Sequence, residues 1–292
     1  MTTHGTATPQ QLTRFRAAVE EIAQEIGSDP GWGAGSALER AADLPEVRAV
    51  LDRLPDGTQG ALARIEREVR AFRPSPRANA STPATLAKIL LLQQIDVLWW
   101  SSVAPFADDG AVTGSPELVS LAALRRQGRL AFGFRMGATG FPARLRNYAV
   151  RRWDPAREPR SSGLSHPVAR PAVVGLLNEM ATRFAAAAPE WRRGLWVNCI
   201  VRSVADQERL RELGYSAFLP SAHCIGWAAD VEMTWLRGHG VAAPLQEILI
   251  GYRDAGVLNV IDEGQAWHVC LNPAVVSRYE DAAPADTAAV GG

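Results

Sequence analysis

Residues 221–230 read Ser221-Ala222-His223-Cys224-Ile225-Gly226-Trp227-Ala228-Ala229-Asp230, and Trp267-His268 follows further along the chain. In one-letter form the first stretch is S-x-H-x-x-G-x-A-x-D. With His268 it offers two imidazoles and one carboxylate, a common three-ligand set for catalytic zinc that leaves a fourth position for water. Zinc takes nitrogen and oxygen ligands at about 2 Å, and an open position brings the pKa of bound water down to about 7. Gly226 lets the chain turn sharply between His223 and Asp230, and Ala228 keeps it slim where a strand packs closely. His223, Asp230 and His268 are therefore the candidate metal ligands, for one zinc ion per chain. A histidine standing alone would more simply be a buried structural residue; the register of the whole pattern argues for a site.

Outward from this stretch, Leu195–Val201 (LWVNCIV) reads as a buried strand and Ala205–Leu213 as a short helix ended by Gly214. Residues 221–230 read as a loop, Leu245–Ala255 as a helix ended by Gly256, and Val257–Ile261 and Ala266–Leu271 as strands. Val173–Ala187 has the spacing of an amphipathic helix. Upstream the texture is helical. Thr8-Pro9 starts a helix along which Leu12, Phe15, Val19, Ile22 and Ile26 recur, and Gly27 ends it. Further helices are expected at 44–54, 57–72, 82–100 and 116–127, with a loop over 73–81 and a strand over 129–136. Residues 142–171, rich in arginine, proline and serine, read as a linker. The expectation is an α+β chain: a mainly helical region over 1–165, a second domain over 166–278, and a disordered tail over 279–292.

The motif resembles that of the D-alanyl-D-alanine carboxypeptidase and hedgehog-type zinc peptidases, whose S-x-H-x-x-G-x-A-x-D and later W-H supply the metal ligands. Val201-Arg202-Ser203 at a strand end, then Gln207 and Leu210 on a helix, is similar to the family's arginine-bearing strand and helix. The likeness covers residues 170–275 or so and leaves the helical region without a counterpart. It implies a small antiparallel sheet flanked by helices, zinc on His223, Asp230 and His268, and substrate contacts from Arg202 and Ser221. The substrate class it implies is a small peptide containing D-amino acids, such as a cell-wall peptide or a dipeptide. One position departs from the pattern. Many relatives carry a glutamate base three residues before the last histidine, where this chain has Gln265, which cannot take a proton. Glu263 is the nearest carboxylate, and a turn through Gly264 is expected to bring it into play; Asp262 is a shorter substitute. The alternative is a zinc-containing protein that binds without hydrolysing, its helical region acting through a partner protein.

Lys plus Arg (31) balance Asp plus Glu (31), so net charge favours neither nucleic acid nor an anionic membrane. Nearly all of the basic residues are arginine, Lys88 being the one lysine, a composition suggesting a bacterial gene. Three cysteines, Cys199, Cys224 and Cys270, are too few for a disulfide framework and read as small buried hydrophobes. The apolar run Leu86–Trp100 is broken by Lys88, Gln93, Gln94 and Asp96 and is too short for a membrane span. Residues 1–11 lack the features of a secretory signal, so a soluble cytoplasmic protein is expected. Trp99-Trp100 reads as helix core, and Arg144–Arg160 as a solvated loop. His239 is expected on a flexible surface loop, and His166 and His4 are expected to be inert. No phosphate-binding or dinucleotide-binding glycine loop occurs.

Overall fold

Thr8, Pro9 and Gln11 start the first helix as their order predicts. The Thr8 hydroxyl accepts the Gln11 N–H, the Gln11 side chain accepts the Thr8 N–H, and Pro9 occupies the first helical position. A computed structural model of the protein describes residues 7–27, 33–75, 78–137 and 163–281, with isolated positions between 145 and 161. Most of the expected linker and the end of the expected tail lie outside the described residues. The chain divides into two compact units, each interrupted in sequence. The first comprises Met1–Ala104, Glu208–Ala222 and Ile261–Gly264, and the second Pro105–Gln207, His223–Val260 and Gln265–Gly292.

The first unit is helical: α1 (Pro9–Ile26), α2 (Gly33–Ala41), α3 (Pro45–Leu51), α4 (Gly57–Ala71) and α5 (Pro83–Trp100). Helix α1 buries Leu12, Phe15, Val19, Ile22 and Ile26 and packs against α2, α3 and α5. Helix α5 is buried around most of its circumference, Trp99 and Trp100 included, which makes it the core of this unit. Its buried Gln94 is satisfied, donating to the Leu90 carbonyl at 2.7 Å and accepting from Arg64 at 3.1 Å. Helix α2 is not expected from sequence because its glycines are poor helix formers; packing against α1 and α4 overrides that preference.

A five-stranded sheet, in the second unit except for Ile261 and Asp262, has the order β2-β4-β5-β7-β6, from β2 (Gly133–Phe134), β4 (Trp196–Cys199), β5 (Ala228–Glu232), β6 (Leu258–Asp262) and β7 (Ala266–Leu271). β4 and β7 each pair antiparallel with β5, whereas the edge strand β2 runs parallel to β4. The expected strand over 129–136 is thus reduced to two residues. The expected helix over 116–127 is also shorter. Val119–Ser120 forms β1, paired with β3 (Val168–Ala169), and the Ser120 hydroxyl caps a helix over Leu121–Arg126 only. The largest difference concerns residues 228–230, expected to be loop and in fact part of the central strand β5, every residue of which is buried. The helix over Pro171–Ala187 packs against those over Ala242–Asp254 and Val276–Glu280, and Met180, Phe184, Tyr252 and Tyr279 on these helices are buried. His166, expected to be inert in a linker, is instead buried and bridges to Val201 at the end of β4. Among the described residues no helix is long and apolar enough to cross a membrane.

Candidate metal centre

Sheet register assembles the site. Asp230 in β5 lies directly opposite His268 in β7 on one side and Cys199 in β4 on the other. Residues paired directly across antiparallel strands project from the same face, so these three form one row. A register shift between Val197 and Cys199 is what brings Cys199, rather than a neighbour, opposite Asp230. His223 enters from a single turn of 3₁₀ helix, Ala222–Ile225. The His223 carbonyl accepts both the Arg202 and Gly226 N–H groups, and Gly226 then reverses the chain into β5 at φ +75°. Only glycine adopts that conformation without strain. Arg170 braces the turn, donating from Nε to the Ile225 carbonyl at 2.8 Å while its guanidinium lies over the Trp227 ring.

Three potential ligand atoms then face one another. His223 Nε2 is 3.0 Å from Asp230 Oδ1 and 3.1 Å from His268 Nδ1, and His268 Nδ1 is 3.3 Å from Asp230 Oδ1. All three side chains are buried. The other nitrogen of His223, Nδ1, donates to the Ile200 carbonyl at 2.8 Å. In a neutral ring that bond fixes the tautomer and turns the Nε2 lone pair toward the carboxylate. Protons satisfy such a triangle poorly, because each of its three edges needs a donor and an acceptor, and Asp230 only accepts. One cation inside it satisfies all three lone pairs together.

With the side chains alone, the electrostatics favour an ion pair between His223 and Asp230. Burial pushes the Asp230 carboxyl up, but the His223 charge, hydrogen bonds from His223 and His268, and the Arg202 guanidinium outweigh it and hold the group well below the usual carboxylate range. For His223, burial pushes the imidazole down, and the Asp230 carboxylate and then Cys199 carry it well above its ordinary value.

Of the residues singled out in the sequence, the fold brings His223, Asp230, His268 and Arg202 together. Arg202 Nη2 lies 3.6 Å from Asp230 Oδ2, and Nη1 donates to Gln207 Oε1 at 3.1 Å. Ser221 and Glu263 belong to the first unit. The Glu263 carboxylate is buried there, accepting from Asn79 Nδ2 at 2.7 Å and Gln93 Nε2 at 3.2 Å. Gln265 and Asp262 are exposed, and the Asp262 carboxylate accepts the Gly264 N–H. All three cysteines are buried, and none is in a disulfide. Burial pushes the Cys224 thiol up to about 11, in keeping with a small apolar role. Cys199 is closer to the chemistry than its reading as a hydrophobe implies, with Sγ 3.6 Å from His223 Nδ1. It approaches the ring nitrogen already bonded to Ile200, and Cys199, His223 and Asp230 offer ligand atoms within 4.8 Å of one another, so the thiol borders the centre. Neither Cys199 nor the Ile200 carbonyl announces itself locally; both depend on register across strands. The chain matches no family model, no curated protein and no solved structure.

Proposed function

We propose that the protein is a zinc-dependent peptidase that hydrolyses a small peptide, with one zinc ion per chain held by His223 Nε2, Asp230 Oδ1 and His268 Nδ1. The observation that carries this reading is the triangle itself. Its sides of 3.0, 3.1 and 3.3 Å approach the spacing of about 3.3 Å that bonds of about 2.0–2.1 Å impose on ligands of a tetrahedral ion. The donor set, two imidazoles and one carboxylate, is one that zinc accepts, and the hydrogen bond from His223 Nδ1 to Ile200 is the kind of outer contact that orients a ligating histidine. When bound, the ion supplies Lewis-acid chemistry, polarising a carbonyl and acidifying water.

The remaining work falls to the chain. Arg202 steadies negative charge that develops on the substrate carbonyl, or a terminal carboxylate, and Ser221 contributes to substrate binding. Glu263 takes a proton from water and returns it to the leaving amine. This assignment rests on its place in the sequence, five residues ahead of His268, and on its ability to accept where Gln265 cannot. The resemblance of the motif favours a peptide containing D-amino acids, such as a cell-wall peptide or a dipeptide; a cytoplasmic place of action is a separate part of the proposal.

A dipeptide panel including D-alanyl-D-alanine tests the reading. Hydrolysis is expected from the purified protein, lost after chelation and restored by about one equivalent of zinc. One feature favours a second reading, a zinc-containing binding protein without hydrolysis: Gln265 stands in place of the usual base, and the Glu263 carboxylate already accepts two amide hydrogen bonds. Bound zinc with no cleavage across the panel would select that alternative, leaving the helical region to act through a partner protein.

A further inference from the structure

Arg202 is held from both sides by a cluster that the proposed chemistry does not use. Ser203, fully buried, accepts the Asp206 N–H on its hydroxyl at 3.0 Å and donates to Asp109 Oδ1 at 2.8 Å. His166 Nε2 sits 2.7 Å from Asp206 Oδ2 and 3.4 Å from Asp109 Oδ1. Facing a carboxylate at that distance, Nε2 carries a hydrogen and donates it. On the other side of Arg202, Val201 forms a β-bridge with His166 itself. The two neighbours of Arg202 are therefore both fastened to one residue, Val201 to the His166 backbone and Ser203 to the His166 imidazole through the two aspartates.

The same segment is tied to the metal centre. Val204 and Ala205 donate to the carbonyls of Phe106 and Ala107, Phe106 donates to the carbonyl of Cys224, and Arg202 donates to that of His223. Asp109, His166 and Asp206 come close enough together to be considered ion ligands. However, a 2.7 Å separation is a charge-assisted hydrogen bond, well under the roughly 3.3 Å between two ligands of a tetrahedral ion.

We propose that His166 is a positioning residue for Arg202: by clamping Asp206 and Asp109 about Ser203, it fixes the strand end from which the guanidinium reaches Asp230. The inference rests on the reading above in that Arg202 contacts substrate. Three substitutions probe the cluster itself. His166→Ala removes the clamp, His166→Gln retains an amide donor for Asp206, and Asp109→Ala removes one arm at a half-exposed position that does not threaten folding.

In zinc-loaded protein, His166→Ala is expected to lower kcat/KM about 10- to 100-fold, mainly by raising KM, and Asp109→Ala to do so less. His166→Gln recovers most of the loss. In an Arg202→Ala background the His166→Ala change has little further effect, because both act through one guanidinium. Zinc content stays at one per chain throughout. Nitrogen-15 NMR of the Arg202 side chain, discrete in wild type and in His166→Gln and averaged in His166→Ala, reads the same clamp without any turnover.

Additive losses in the double variant, or an unchanged Arg202 resonance in His166→Ala, would overturn the proposal. A second metal ion lost from the His166 variants would also overturn it, making the cluster a metal site. If wild type cleaves nothing, the peptidase reading falls, and the Arg202 resonance alone decides whether the clamp exists.

Discussion

Glu263→Gln is expected to lower kcat for the best dipeptide by about 10²- to 10⁴-fold, the usual contribution of a positioned general base, with KM little changed and zinc still bound. The substitution is close to isosteric. An amide retains a carbonyl oxygen that can still accept from Asn79 or Gln93, so the buried position keeps part of its hydrogen bonding. What it loses is the capacity to take a proton. Steady-state kinetics together with metal analysis on the same sample separate the two effects. Hydrolysis at the wild-type rate would remove Glu263 from the mechanism, and a parallel loss of zinc would move it from base to support of the site.

Asp230→Asn is expected to lower kcat/KM by on the order of 10³, since several kcal/mol of transition-state stabilisation depend on a properly held ion and each 1.36 kcal/mol is tenfold. Asp230 is the one anionic member of the triangle and the group that both His223 and His268 face. Its carboxylate also stands opposite Arg202. Replacing it removes charge without removing volume, so the β5–β7 register that places it opposite His268 is retained. The check is a zinc titration followed by hydrolysis at saturating zinc, which shows whether added metal rescues the variant. Wild-type kcat/KM at stoichiometric zinc would show that the carboxylate contributes nothing to the centre.

The sequence announces the parts of this fold whose signals are local. Thr8, Pro9 and Gln11 define a helix start, the stripe from Leu12 to Ile26 defines its buried face, and Leu195–Val201 and Ala266–Leu271 have the apolar character of strands. Residues 228–232 do not, because alanine and carboxylates have weak strand preference. Pairing on both edges makes a strand of them regardless. The convergence of His223, Asp230 and His268 is foreshadowed by residue type and spacing, with Gly226 supplying the reversal that the spacing requires. The outer contacts are not foreshadowed. The Ile200 carbonyl, the Cys199 row and the His166 clamp each join residues distant in sequence, and no local pattern marks them.

The central claim is that His223, Asp230 and His268 hold a metal ion, and the most direct test is the metal content of purified protein by elemental analysis, wild type beside His223→Ala. The account predicts about one zinc per chain in wild type and loss of that zinc in the variant. No zinc in wild type after incubation with excess metal, or equal zinc in both proteins, would contradict it.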